Sequence, residues 1–327
     1  MNISVIIPVY GVEKFIERTA ESLLSQSLRE GIEFIFVDDC TKDQSISILE
    51  RVVERHPDRR CQVKILHHLR NKGLPSARNT GLRQAVGEFV IHVDGDDYVE
   101  PQMMAKMLAT ANENNADIVW SDFYLSYEYG DKYLKQPYYP NPQSALYGIL
   151  RGAMKYNVWN KLVKRSLYTS NDITFPDNRG MGEDMTMIKL FCHASRVSYL
   201  PEAFYHYVKY NSNAFSQTYS ERQCEELLKN VHDLESYLKP YLGDDFDELI
   251  NEFKLEVKYP FLISDDKDKH LIWKNWFEES NCYAWKNKDI SFRRRFLQGM
   301  ASANQWWVVY IYFRLLYKSS IIRMLIR

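Results

Sequence analysis

From Ile3 to Trp120 the chain alternates short, unbroken apolar runs with segments of helical period, and this alternation constrains the fold more than any other feature. Ile3-Ser4-Val5-Ile6-Ile7 is stopped by Pro8. Phe15 to Leu28 then places Phe15, Ile16, Ala20, Leu23, Leu24 and Leu28 on one helical face. Glu33 to Val37 ends on Asp38-Asp39, and Ser45 to Val53 is helical again. Val63 to Leu66 is a third strand, and Leu74 to Val86 a helix with Gly87 as its stop. Glu88 to Val93, the helix Met103 to Asn112 and Asp117 to Trp120 complete the series. Strands and helices in strict alternation predict βαβ units in a mostly parallel, twisted sheet flanked by helices. Strands apolar throughout are covered on both faces. Such sheets bind ligands beyond the carboxyl ends of their strands. The polar residues gather there: Pro8-Val9-Tyr10, Asp38-Asp39, His67-His68 and Asp94-Gly95-Asp96-Asp97. That convergence predicts an enzyme.

The 327 residues allow one large domain or two smaller ones. The alternation loosens beyond about residue 125, and from Glu221 the chain reads helical. The expected division is therefore 1–220, the domain that carries the candidate site, and 221–327, a helical extension. A hydrophobic fraction of 45% with 26% charged residues is that of an ordered globular chain. A formal charge of −1 gives no reason to expect nucleic acid as a partner. Cys40, Cys61, Cys192, Cys224 and Cys282 form no CxxC pair, so reduced thiols in the cytoplasm are expected. Ile3 to Val9 is too short for the core of a signal peptide, and no apolar run reaches spanning length.

Several segments carry chemistry, each with a plainer reading beside it. Asp94 and Asp96, two residues apart after a strand, would face one side and share a hard cation, Mg²⁺ or Mn²⁺; they could equally cap the next helix or form a solvated turn. Asp38-Asp39 could accept a uracil imide N–H or a ribose hydroxyl, or cap a helix. Asn71 to Gly81 opens a helix with Lys72 and Arg78 at hand for a diphosphate, although it is neither a Walker loop nor a GxGxxG fingerprint. Gly182-Glu183-Asp184 offers a general base, or only an acidic first helical turn.

Taken together, Val5-Ile6-Ile7-Pro8-Val9-Tyr10, Phe36-Val37-Asp38-Asp39, the Asn71 to Gly81 segment, Val93-Asp94-Gly95-Asp96-Asp97 and Gly182-Glu183-Asp184 resemble the family 2 glycosyltransferases, which have a GT-A fold. Trp159-Asn160-Lys161-Leu162-Val163-Lys164-Arg165-Ser166-Leu167 is similar to a segment of bacterial members. The likeness spans about residues 1 to 220. It implies an inverting enzyme that moves a sugar from a nucleotide-sugar, UDP-linked, to a glycan or lipid-linked hydroxyl in surface polysaccharide synthesis. Pro8, Val9 and Tyr10 would line the nucleotide pocket, Asp39 would hold the base, and Lys72 and Arg78 would lie near the phosphates. Asp94 and Asp96 would hold Mn²⁺ or Mg²⁺, Asp94 also facing the donor. Asp184 would be the catalytic base, with Glu183 beside it. Gly11 and Cys40-Thr41 stand where the family often has Asn and Gly-Ser. Two rivals are a catalytically degenerate nucleotide- or glycan-binding module and a sugar nucleotidyltransferase. The second lacks its Gly-rich loop here, since Tyr10-Gly11-Val12-Glu13-Lys14 holds one glycine.

Residues 281 to 327 carry nine basic residues and one acid, Asp289, a charge of +8 that leaves −9 on the other 280. Trp306, Trp307, Ile311 and Leu315 interleave with Arg314, Lys318, Arg323 and Arg327. Such a segment suits the headgroup region of an anionic inner leaflet, and a lipid-linked acceptor would be met there. The competing expectation is a helix packed on the protein or on a second subunit of a homodimer.

Overall fold

The computed structural model describes residues 1–211 and 220–317. The chain forms two compact units: Met1–Gln143 with Tyr156–Leu234, and Ser144–Lys155 with everything from Glu235 onward.

In the first unit, β1 (Ile3–Val9), β2 (Ile32–Asp38), β3 (Val63–His67) and β4 (Phe89–His92) run parallel in the order β3-β2-β1-β4. Their crossovers are α1 (Ile16–Leu24), α2 (Ser45–Arg55) and α3 (Leu74–Gln84). Every residue of β1 and β2 is buried, as expected of strands covered on both faces. Ser4, Glu33 and Asp38 are the polar members of these two strands, and the Ser4 hydroxyl donates to Glu33 at 2.6 Å. Gly87 does not stop α3, which ends at Gln84 before an extended Ala85. Gly87 lies instead against β1, where a Cβ would stand 2.5 Å from the Ser4 nitrogen.

The sheet then becomes mixed. After β5 (Tyr98–Val99) and α4 (Met103–Asn114) come β6 (Ile118–Tyr127), β7 (Gly130–Leu134), β8 (Lys161–Lys164) and β9 (Val197–Val208). β8 pairs antiparallel with both β4 and β6, and β9 runs parallel to β6. The segment after Tyr124 is the β6–β7 hairpin followed by an irregular stretch. Helices α5 (Pro142–Leu150), whose residues from Ser144 belong to the second unit, α6 (Arg165–Thr169), α7 (Thr186–Phe191) and α8 (Glu221–Leu242), which belongs to the first unit as far as Leu234, follow in chain order.

The second unit is helical: α9 (Phe246–Leu262), α10 (Lys267–Asn275), α11 (Phe292–Ser302) and α12 (Trp306–Ile311), which continues as a π-helical turn over Tyr312–Tyr317. Leu249, Phe253, Phe261, Trp273 and Leu297 form its core. The five cysteines are free. Among the described residues no helix is long and apolar enough to cross a membrane. Lys318, Ile321, Ile322, Arg323 and Arg327 lie outside the described residues.

Candidate active site

Parallel register decides which residues meet at the carboxyl edge. Val9 is level with Asp38, and Asp38 with His67. One residue further on, the Asp39 N–H donates to the Val9 carbonyl at 3.0 Å and the His68 N–H to the Asp38 carbonyl at 2.9 Å. Pro8 and Val9 are buried, whereas Tyr10 is 54% exposed at the rim. The turn after β4 presses on the end of β1: a Cβ on Gly95 would stand 2.8 Å from the Pro8 carbonyl oxygen, so only glycine fits there.

Asp39 is buried and already engaged. Its carboxylate accepts the Lys72 N–H at 2.8 Å and the Gly73 N–H at 2.7 Å, and it pairs with His68 Nδ1 at 2.7 Å. A carboxylate has about four acceptor sites, so one remains. Asp39 thereby fixes the loop that leads into α3. Lys72 contributes its amide to this cradle, while its side-chain end of the residue is at the exposed surface.

Asp94 opens and Asp96 lies within a turn rather than extending β4, so strand alternation is not what orients them. The Asp97 N–H closes that turn on the Asp94 carbonyl at 3.2 Å. Asp96 accepts from Asn211 Nδ2 at 2.7 Å. Burial raises the Asp96 carboxyl above its ordinary range, and the charge of Asp94 raises it further. Asp97 is fully buried, with its carboxylate accepting the Tyr205 hydroxyl at 2.6 Å and the Val208 N–H at 2.8 Å. Its role is to fasten the turn to β9. Two mutually repelling carboxylates with oxygen donors fit a hard divalent cation. Among the described residues no group of three or more His, Cys, Asp or Glu is arranged to hold a metal ion. A cation here would thus draw the rest of its shell from a bound ligand.

Arg78, on α3, is 1% exposed. Its Nη2 donates to Asp94 Oδ1 at 3.2 Å and stands 3.7 Å from Glu183 Oε1 and 3.6 Å from Asp184 Oδ1. Arg78 Nε and Nη1 and Asp184 Oδ1 are buried without hydrogen-bond partners among the described residues. Gly182, at φ +82, turns the chain into the 3₁₀ turn Glu183–Met185 that presents the two acids. The preceding loop is held from α8. Glu226 accepts the Gly180 N–H at 3.0 Å, and Asn230 Nδ2 donates to the Met181 carbonyl at 2.7 Å. Burial raises the carboxyls of both Glu183 and Asp184 above the ordinary range. The neighbouring Asp184 adds to this for Glu183, while Arg78 opposes it in both. Asp184 is pushed up to about 6. A carboxylate poised there can accept a proton near neutral pH.

Residues 4–186 match the sequence profile of glycosyl transferase family 2. The chain belongs to this family. Glycosyltransferase EpsJ of Bacillus subtilis (strain 168) is 31% identical over 273 residues, covering 80% of this chain and 77% of EpsJ. Poly(ribitol-phosphate) beta-N-acetylglucosaminyltransferase TarS of Staphylococcus aureus (strain Mu50) is 27% identical over 275 residues, 83% of this chain but only 43% of TarS. The structure of S. aureus TarS 1-349 with UDP-GlcNAc superimposes with a TM-score of 0.69 at 22% identity, covering 96% of this chain and 92% of that one. The mannosyltransferase PcManGT from Pyrobaculum calidifontis with GDP-Man and Mn²⁺ gives 0.54 at 17%, covering 96% and 87%. The fold is the GT-A arrangement.

In this family 2 glycosyltransferase the tertiary structure adds residues to which sequence reading gave no role. Tyr205 on β9 accepts the Asp94 N–H at 3.1 Å and donates to Asp97. Asn211 reaches Asp96 from far along the chain. Lys161 and Val158, at and just before the start of β8, both act on the Asp184 carboxyl, opposing its rise. The Trp159 to Leu167 segment was the sequence signal for Lys161; Val158 lies just before it and had none.

Proposed function

We propose that this glycosyltransferase moves the sugar of a UDP-sugar to a hydroxyl of a glycan or lipid-linked acceptor in surface polysaccharide synthesis, with inversion. One observation carries the reading: the buried Arg78 guanidinium lies within 4 Å of both Asp94 at the metal motif and the Glu183/Asp184 pair. The donor and base functions are thereby brought to one spot. Pro8, Val9, Tyr10 and Asp39 bound the nucleoside end, with Lys72 and Arg78 supplying positive charge. The UDP and UDP-GlcNAc complexes of TarS support a uridine diphosphate donor, and the activity in its name supports a cell-surface polymer.

Asp94 and Asp96 would hold Mn²⁺ or Mg²⁺, which offsets the charge that gathers on the leaving diphosphate. Asp184 takes the proton of the acceptor hydroxyl as its oxygen attacks the anomeric carbon. The bond from that carbon to the diphosphate oxygen breaks, and its electron pair leaves with UDP. A single displacement from the opposite face inverts the centre, and no enzyme nucleophile is required. Residues 1–220 carry this chemistry.

The helical C-terminal region supports a site of work on the cytoplasmic face of an anionic membrane. Phe292 is 66% and Trp307 63% exposed, with Lys286, Lys288, Arg293, Arg295 and Arg314 in the same stretch. Trp306 is turned the other way, packed on Trp273 at 5.7 Å between ring centroids.

A thermal-shift screen of nucleotide sugars with and without Mn²⁺ tests the reading, because a bound donor raises stability by mass action. Wild type should respond to a UDP-sugar with Mn²⁺, and Asp96→Ala should lose the metal-dependent part. A UDP response that ignores Mn²⁺ in both proteins would remove the metal from the site.

A further inference from the structure

The Lys161 side chain, at the first residue of β8, is fully buried. Burying an ammonium is expensive unless its protons are used. Here Nζ donates to the Asn157 carbonyl at 2.9 Å and to Asn160 Oδ1 at 2.9 Å, closing the turn that enters the strand. Asn160 is itself stitched to β6: its Nδ2 donates to the Ser121 carbonyl at 2.8 Å, and its own carbonyl accepts the Ser121 N–H at 3.1 Å.

The two residues inside that turn point to the two halves of the site. The Val158 amide adjoins Asp184 and opposes the rise of its carboxyl. The Trp159 indole stacks on Tyr205, with centroids 4.3 Å apart and planes 17° apart. Tyr205 in turn accepts the Asp94 N–H and donates to Asp97. The turn thus adjoins Asp184 on one side and reaches the metal-motif turn through Tyr205 on the other.

We propose that Lys161 is a positioning residue: by closing the 157–160 turn it fixes where the Asp184 carboxylate stands relative to the Asp94–Asp97 turn. The inference rests on the reading of Asp184 as the base. Lys161 touches neither donor nor acceptor in this role. It acts through the Val158 amide and the Trp159–Tyr205 stack. Burial lowers the Lys161 amine to about 7, and the Asp184 charge opposes that fall.

The test is a comparison of wild type, Lys161→Met, Asp184→Asn and the double variant. UDP affinity is measured by calorimetry with Mn²⁺, and kcat with the UDP-sugar that wild type turns over. Lys161→Met should lower kcat on the order of 10²-fold, the cost of a misplaced catalytic group, with UDP affinity within about twofold of wild type. The double variant should be no slower than Asp184→Asn, because the lysine acts through the acid. A kcat within twofold of wild type, equal losses in kcat and UDP affinity, or multiplicative losses in the double variant would each overturn the proposal. If Asp184→Asn alone keeps the wild-type rate, it is the assignment of the base that fails. Should Lys161→Met not fold, Lys161→Gln, which can keep one of the two hydrogen bonds that close the turn, should lose less kcat in the same direction, and a loss of UDP affinity as large as its loss of kcat would overturn the proposal.

Discussion

Arg78 Nη2 stands 3.6 Å from Asp184 Oδ1, and it is the same nitrogen that donates to Asp94. One buried cation therefore answers to carboxylates from two motifs about ninety residues apart in the chain. The expected place for Arg78 was beside the donor phosphates. Its position among the acids makes it their counter-charge as well.

Arg78→Met should destabilise the protein by about 3–5 kcal/mol near neutral pH, since losing one partner of a buried ion pair leaves the others uncompensated. The deficit should shrink at pH 5, where protonation of Glu183 and Asp184 relieves their repulsion. Melting curves of both proteins at pH 5 and pH 8 check this. A deficit that is equal at both pH values would separate Arg78 from the acids energetically.

The pH dependence has a definite sign. The folded-state pKa of Asp184 is raised, to about 6, chiefly by burial. Native protein then holds more protons than the unfolded chain between the ordinary carboxylate range, about 4, and that value. Stability should fall as pH rises through this window. Activity should run the opposite way, because only the ionised base accepts a proton, so kcat should drop as pH falls through about 6. Glu183 and Asp184 titrate as a pair, so the limb belongs to both. A rate profile flat from pH 5 to 8, measured with saturating donor, would place the base elsewhere.

Asp39→Ala should weaken UDP binding more than binding of inorganic diphosphate. The variant removes the acceptor for the Lys72 and Gly73 amides and for His68, as well as the remaining site for the nucleoside. Each hydrogen bond to a charged group contributes about 1.5–3 kcal/mol. Calorimetry with both ligands decides it. Equal losses would mean that Asp39 serves only to shape the loop.

At the other end of the chain, Trp307→Ala with Ile311→Ala should reduce sedimentation with vesicles containing an anionic phospholipid. Both side chains are exposed, at 63% and 45%, so little folded stability should be lost. Deleting residues 306 to 327 should abolish binding, and high salt should remove only the electrostatic part, as the Debye length falls to about 3 Å at 1 M. If the substituted protein sediments as before but changes its mass in solution, the exposed face meets a second copy instead of a membrane.

The sequence by itself determined the elements of the parallel half-sheet and the row of polar residues at its carboxyl edge. Apolar runs of strand length, β-branched and unbroken, cannot be satisfied except under cover on both faces, and Asp38-Asp39 and Asp94 to Asp97 follow those runs directly. Gly182-Glu183-Asp184 was legible as an acidic turn before an apolar helix. What only the tertiary structure decided is which polar groups are already committed to each other. Pairing depends on register and on chain reversals that no local pattern encodes. Antiparallel β8 inserts between β4 and β6 and brings Val158 to Asp184. β9 carries Tyr205 back to Asp94 and Asp97, and its continuation brings Asn211 to Asp96. Sequence spacing placed Asp94 and Asp96 on one side of a strand, but the backbone turns over Gly95 and Asp96, and Gly95 lies too close to the Pro8 carbonyl for any side chain. Arg78 likewise read as a phosphate ligand, since a helix start bearing Lys and Arg carries no mark of burial. It is the packing of α3 against the sheet, with three carboxylates closing over it, that turned an exposed-looking cation into the buried centre of the site.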